Sequence, residues 1–185
     1  MKDDALIERF LSGDEQGFTM LVEKYKDKIV NIVYSLSSQT QHADDIAQEV
    51  FIKVYQHLSA FKKRSEFATW LYRITVNTTY NYLKKMGRLV PVDSSVLAAI
   101  LRKDAADDLG ANERKQLLEQ ALNSLPFNFR SVIVLKEIEG LSYKEIAKVL
   151  GMRLGTVESR LFRARQMLKE KLAPVLKEGL LNVVQ

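Results

Sequence analysis

Apolar residues recur at three- and four-residue spacing along almost the whole chain, and this period restricts the fold more than any other feature. Phe18, Leu21, Val22, Tyr25, Ile29, Ile32 and Val33 follow the i, i+3, i+4, i+7 pattern, which lays one stripe along an α-helix. No run alternates with the two-residue period of a strand. Only 3 prolines and 8 glycines punctuate the 185 residues, which disfavours a turn-rich β fold. An all-α fold is expected, with a hydrophobic fraction of 46% that is ample for real cores.

The stripe breaks once. After Gly87 come Pro91, Asp93, Ser94, Ser95, Asp104, Asp107, Asp108 and Gly110, too long a weakly patterned stretch to sit inside one compact domain. We read residues 89–112 as a flexible linker, with Val96–Leu101 an apolar run inside it. Two small helical domains result, 1–88 and 113–175, with a tail at 176–185 whose Leu180, Leu181, Val183 and Val184 are apolar. In the first domain, Asp44 and Asp45 open a second helix with an inward stripe of Ile46, Ala47, Val50, Phe51, Val54 and Leu58. A third helix runs from about Glu66 to Lys85, with Phe67, Trp70, Leu71, Ile74 and Thr78 inward. Trp70 lies on that stripe, which favours a core role over an exposed one. In the second domain, residues 113–123 place Leu117, Leu118, Ala121 and Leu122 on one helix, and Pro126 starts another that carries Val132, Ile133 and Leu135.

Charge follows the same division. Residues 61–88 carry seven basic groups against one acidic, and 113–172 carry twelve against seven, while 89–112 is slightly acidic. Two basic blocks on either side of an acidic connector suit two nucleic-acid contacts, though solvated helix faces would give the same totals.

Residues 142–165, SYKEIAKVLGMRLGTVESRLFRAR, have the pattern of a helix-turn-helix. Ser142 is placed to cap the first helix with Glu145 as its reciprocal partner, and Gly151 to end it. The second helix starts near Gly155-Thr156, with Val157, Leu161, Ala164 and Leu168 inward. Glu158, Ser159, Phe162, Arg163 and Gln166 then face outward. An outward Phe162 can touch a thymine methyl in the major groove, and Arg163 can donate in bidentate fashion to guanine. Arg160, Arg165 and Lys169 flank this face and can meet phosphates.

The amino-terminal half carries HADDIAQEVFIKVYQHLSAF at 42–61 and FATWLYRITVNTTYNYLKK at 67–85. Removing the inward stripe leaves Asp45, Gln48, Glu49 and Ile52 on the other side of the second helix, a mixed patch with an apolar centre suited to a protein partner or to plain solvation. On the third helix Arg73, Val76, Asn77, Tyr80 and Lys84 share a side, where bases could stack and phosphates find cations.

A helix-turn-helix alone describes any transcriptional regulator, including one that acts without replacing a sigma factor. GLSYKEIAKVLG with GTVESRLFRAR resembles region 4 of extracytoplasmic-function sigma factors, and the two amino-terminal segments resemble sigma region 2. The resemblance implies that the helix containing DDIAQEVF, with Asp45, Gln48, Glu49 and Ile52, grips the clamp of the largest subunit of core RNA polymerase. It implies that the third helix and the 59–66 loop bind the −10 element as a single strand through Phe61, Arg64, Ser65, Arg73, Asn77, Tyr80 and Lys84. It assigns the −35 duplex to Arg153, Thr156, Glu158, Ser159, Arg160, Phe162, Arg163 and Arg165. Arg153 stands where the family usually has proline, and Glu158 where lysine or arginine is frequent; both bear on the −35 sequence preference rather than the fold. An anti-sigma factor at the inner membrane is implied as a further partner.

No catalytic chemistry is expected. There is no cysteine, His42 and His57 lack partners at metal-ligand spacing, and adjacent Asp44 and Asp45 point about 100° apart on a helix. No cofactor or metal is called for. The acidic start Met1-Lys2-Asp3-Asp4 lacks a signal-peptide pattern, and no segment reaches the ~20 apolar residues of a membrane span, so a cytoplasmic protein is expected.

Overall fold

The structure, a computed structural model, describes residues 2–37, 42–63, 65–89 and 111–173. The expected linker and tail therefore lie largely outside the described residues, as does the apolar run 96–101.

The amino-terminal unit comprises α1 (Asp3–Leu11), α2 (Gln16–Ser37), α3 (Ala43–His57) and α4 (Phe67–Lys85). A single 3-10 turn, Leu58–Ala60, follows α3. Helix α2 is the hub on which the other three pack. Its Leu21, Ile29, Ile32, Val33 and Leu36 are fully buried against Ile46, Val50 and Val54 of α3 and Leu71 of α4. The expected stripes of α2 and α3 hold, with Phe18, Val22 and Phe51 at the margin of the core. Helix α1 was not anticipated. It lies so close to α2 that a Cβ on Gly17 would stand 2.5 Å from the Leu6 carbonyl oxygen.

Four threonines are buried on α4. Two of them satisfy themselves along their own helix: the Thr75 hydroxyl donates to Leu71 O at 3.0 Å and that of Thr79 to Thr75 O at 2.9 Å. Thr78 accepts from Lys53 of α3 at 3.3 Å.

The carboxy-terminal unit comprises α5 (Ala111–Asn123), α6 (Phe127–Ile133), α7 (Tyr143–Leu150) and α8 (Leu154–Leu172). Helix α6 widens into a π turn over Val134–Ile138, which the sequence period did not distinguish from α-helix. The predicted capping box is present: Ser142 accepts from Glu145 N, and Glu145 Oε2 accepts from Ser142 N at 2.8 Å. Gly151 ends α7 in the left-handed region, at φ 64°. Val157, Leu161, Ala164 and Leu168 of α8 are all buried, as the period required. On α5, Leu118 departs from expectation. It is 46% exposed, because Ala121 and Leu122 form the buried edge.

The two units, read from the sequence as separate beads, pack on each other. The Arg130 guanidinium, only 4% exposed, donates to Leu36 O at the end of α2 (2.8 Å) and to Asn123 O and Leu125 O of its own unit (2.6 and 2.9 Å). Burial pulls its pKa down to about 10. Planar fork geometry suits such a set of carbonyls.

Candidate nucleic-acid interface

Gly151, in the left-handed region, ends α7 and sets the turn to α8, and that turn decides which side of α8 faces out. Phe162 is 65% exposed, the most exposed of the large hydrophobic side chains among the described residues. Glu158, Ser159 and Arg163 are exposed beside it, and Arg153 is exposed at the N-cap. Thr156 and Arg160 are half-buried; the Ser159 hydroxyl donates to Thr156 O at 3.1 Å. Arg165 belongs to a different arrangement. It is half-buried and donates to Glu137 at 2.7 Å, a contact that holds its pKa above the usual value. This guanidinium is engaged by the protein before any phosphate reaches it.

On α4, Arg73, Asn77 and Lys84 are exposed and Tyr80 is 36% exposed, sharing one side. Val76, grouped with them from the sequence, is buried at 5% exposure. One residue from Asn77 is a rotation of about 100°, which carries Val76 to the core side. Trp70 and Phe61 are both half-buried. Their rings lie 5.2 Å apart, and the Phe67 ring is 5.8 Å from that of Phe61. Trp70 is therefore neither enclosed core nor a free blade, but one wall of an aromatic cluster at the loop. Ser65 is half-buried beside it, and Arg64 lies outside the described residues. The basic loop has a feature no motif revealed: Lys63 turns through φ 51° and donates to Glu8 of α1 at 2.7 Å.

On α3, Asp45, Gln48, Glu49 and Ile52 all face solvent, with Ile52 half exposed. Glu49 accepts from Lys53 at 2.6 Å. This surface continues onto Tyr55, whose ring meets those of Phe10 and Phe18 at 5.1 Å each.

Two groups at the contact between the units are electrostatically perturbed. The Glu139 carboxyl, its side chain 5% exposed, sits 4.0 Å from Lys28 and bonds Tyr72. Burial raises its pKa; Lys28 and Tyr72 only partly oppose that. Burial also pushes the Tyr72 hydroxyl up to about 12. Sequence reading missed this contact and Arg130, although a lone arginine inside Phe127–Leu135 is a signal for a satisfied buried cation. His42 lies against Tyr82 at 5.7 Å, and His57 is exposed. Among the described residues no group of three His, Asp or Glu is placed to hold a metal ion.

Both units match known families. The sigma-70 region 2 family matches residues 21–89, and the sigma-70 region 4 family matches residues 115–168. The chain is 40% identical to the RNA polymerase sigma-H factor of Pseudomonas aeruginosa over 96% of this chain and 97% of that protein. It is 37% identical to the ECF RNA polymerase sigma-E factor of Escherichia coli K12, over 96% of this chain and 97% of that one. Among solved structures it resembles CnrH in complex with the cytosolic domain of CnrY, with a TM-score of 0.69, 26% identity, and coverage of 92% of this chain and 97% of that one. It also resembles the sigma factor RpoE in complex with the anti-sigma factor NepR from Bartonella quintana (TM-score 0.66, 28% identity, 84% and 96% covered). The fold and the two matched regions are those of a promoter-recognition factor for RNA polymerase. The chain belongs to the sigma-70 family, in its extracytoplasmic-function group. As a member it is a transcription initiation factor that works with core RNA polymerase on promoter DNA, and it is not an enzyme.

Proposed function

We propose that the outer face of α8 reads the −35 duplex through Phe162 and Arg163, with Arg153, Thr156, Glu158, Ser159 and Arg160 framing it. The exposed Phe162 beside Arg163, on the second helix of a helix-turn-helix whose first helix is closed by a complete capping box and Gly151, is the observation that carries this reading. Asn77, Arg73, Tyr80 and Lys84, with the Phe61–Ser65 loop, hold an unstacked −10 base and its phosphates. Asp45, Gln48, Glu49 and Ile52 meet the polymerase clamp, with the half-exposed Ile52 as the apolar centre of that contact. Residues 1–88 and 113–175 act as the two DNA-contacting units.

The test is run-off transcription with sigma-free core polymerase on fragmented DNA from the source organism. Discrete transcripts that depend on this chain support the assignment, and aligning their start sites yields both elements. Absence of transcripts together with absence of core binding overturns it. Asn77→Ala separates the roles: it should impair opening more than duplex binding, and a pre-melted template should rescue it.

The similar solved complexes contain an anti-sigma factor or a cytosolic partner domain. By that likeness this chain, working in the cytoplasm, is held inactive by an anti-sigma factor at the inner membrane and released for stress or envelope-response genes. Among the described residues no helix is long and apolar enough to cross a membrane, so such tethering would come through the partner. Co-purification across growth conditions that never yields a partner would count against this.

A further inference from the structure

We infer that α1 sets the shape of the −10 loop, with Lys63 a positioning residue held by Glu8 and Asp4 rather than a contact to DNA. The inference rests on the −10 assignment above. Among the described residues Lys63 is the one non-glycine in the left-handed region, at φ 51°. A lysine has no local reason to be there. Its Cβ crowds the following carbonyl, and its side chain cannot bond the adjacent backbone as an asparagine would. What holds the turn must come from elsewhere. The Lys63 ammonium donates to Glu8 Oε1 at 2.7 Å and lies 3.9 Å from Asp4 Oδ1. Those carboxylates are four residues apart on α1, so they share one side of it. Backbone strain of this kind persists where the surroundings over-determine it, and here it falls within the loop assigned to base capture.

Helix α1 reaches the loop's aromatic cluster a second time. Asp3 accepts from the Tyr25 hydroxyl at 2.7 Å and from Lys24 at 2.5 Å. The Tyr25 ring meets Phe67 edge to face at 5.6 Å, and Phe67 in turn contacts Phe61 and Trp70 at 5.8 and 5.9 Å. Phe61 stands in the loop and Phe67 follows it, so the start, the middle and the end of the loop all refer back to Asp3, Asp4 and Glu8. Asp3, Asp4, Lys63 and Ser65 line one groove. Gly17 lets α1 dock backbone to backbone on α2, which gives these carboxylates a fixed place. The Lys63–Glu8 pair is largely exposed, with side chains 45% and 68% accessible, and it contributes little to the stability of the fold. Its effect falls instead on the loop, which it holds in one conformer before a strand arrives.

Charge reversal separates this role from phosphate contact. The full chain, assembled with core polymerase, is given the non-template −10 oligonucleotide of a promoter mapped by run-off transcription. Binding of the −35 duplex of the same promoter checks folding. Lys63→Glu should lower capture by about three- to tenfold, through the fraction of loops in the competent conformer. Glu8→Lys should lower it by a similar factor, although it adds positive charge near the strand; a phosphate contact or a general field predicts a gain there. The double variant Lys63→Glu, Glu8→Lys reverses the pair and should return capture to within about twofold of wild type. Discrimination among the four bases at the captured position should flatten in each single variant and return in the double one. Glu8→Gln, which removes the charge with little change of shape, should lose about two- to threefold. A gain with Glu8→Lys, unchanged capture in the single variants, or a double variant no better than Lys63→Glu overturns the positioning role alone. If the wild-type chain captures no oligonucleotide, the −10 assignment falls, and this inference with it.

Discussion

Arg165 of α8 donates to Glu137 of the π turn at 2.7 Å. A cation assigned to phosphate contact from the sequence is thus already committed to a carboxylate. Both partners are substantially exposed, so the pair contributes little to stability. Glu137→Gln should free the guanidinium for DNA. Duplex affinity should rise, and the salt dependence of binding should steepen by about one unit of slope. Titrations at several salt concentrations measure both; an unchanged slope would place Arg165 outside the DNA contact.

Arg163 is exposed beside Phe162, in position for a base edge. Arg163→Ala should weaken −35 binding by about 1–3 kcal/mol and relax discrimination at one base position. Competition assays across single-base variants read this out. A uniform loss on every sequence would make Arg163 a phosphate contact instead.

Gly17 marks the crossing of α1 and α2. A Cβ there would lie 2.5 Å from Leu6 O and 2.7 Å from Phe10 N, both backbone atoms with no freedom to swing aside. Gly17→Ala should lower the free energy of unfolding by about 1–3 kcal/mol, with α1 displaced. Urea denaturation gives the magnitude, and hydrogen exchange on residues 3–11 locates it.

Glu139 predicts a pH dependence of the contact between the two units. Burial raises its carboxyl pKa while they touch, and in an open form, with the units apart, it returns to about 4.3. The form in contact thus binds the proton more tightly. Its advantage from this group is fully present below the open-form value and is lost as pH rises through the higher contact-form value. Dyes on cysteines placed at the exposed positions Gln56 and Gln166 would report the distance between the units. The share of chains with the two units in contact should fall as pH rises from below the open-form value, and Glu139→Gln should flatten that response. An identical profile in the variant would remove Glu139 as the cause.

Much of this protein is legible in its sequence because helix period and helix caps are local. Ser142, Glu145 and Gly151 announce both ends of α7 within ten residues, and Val157, Leu161, Ala164 and Leu168 announce the inner side of α8. Helix α1 escaped because it is short and buries only Leu6 and Ile7; its docking is encoded by Gly17 on the neighbouring helix. Arg73 shows a different limit. The period places it outward, but cannot say that it donates there to Val149 O of the other unit. For Val76 the reading erred by a single residue, enough to exchange core for surface on a helix. Arg130 and Glu139 take their meaning from carbonyls and side chains of the other unit, which no local pattern contains.

The π turn at Val134–Ile138 has a consequence for how such a chain tolerates loss of length. A π turn holds one residue more than an α turn, so deleting one codon there would let the segment rewind as plain α-helix. Everything beyond it would rotate by about 100° relative to α6. Glu137 would leave Arg165 and Glu139 would leave Lys28 and Tyr72 in the same event. Because α6 and α8 pack directly on each other, a lineage that dropped that residue would have to rebuild the core of the carboxy-terminal unit, which makes this short segment a place where chain length is held fixed.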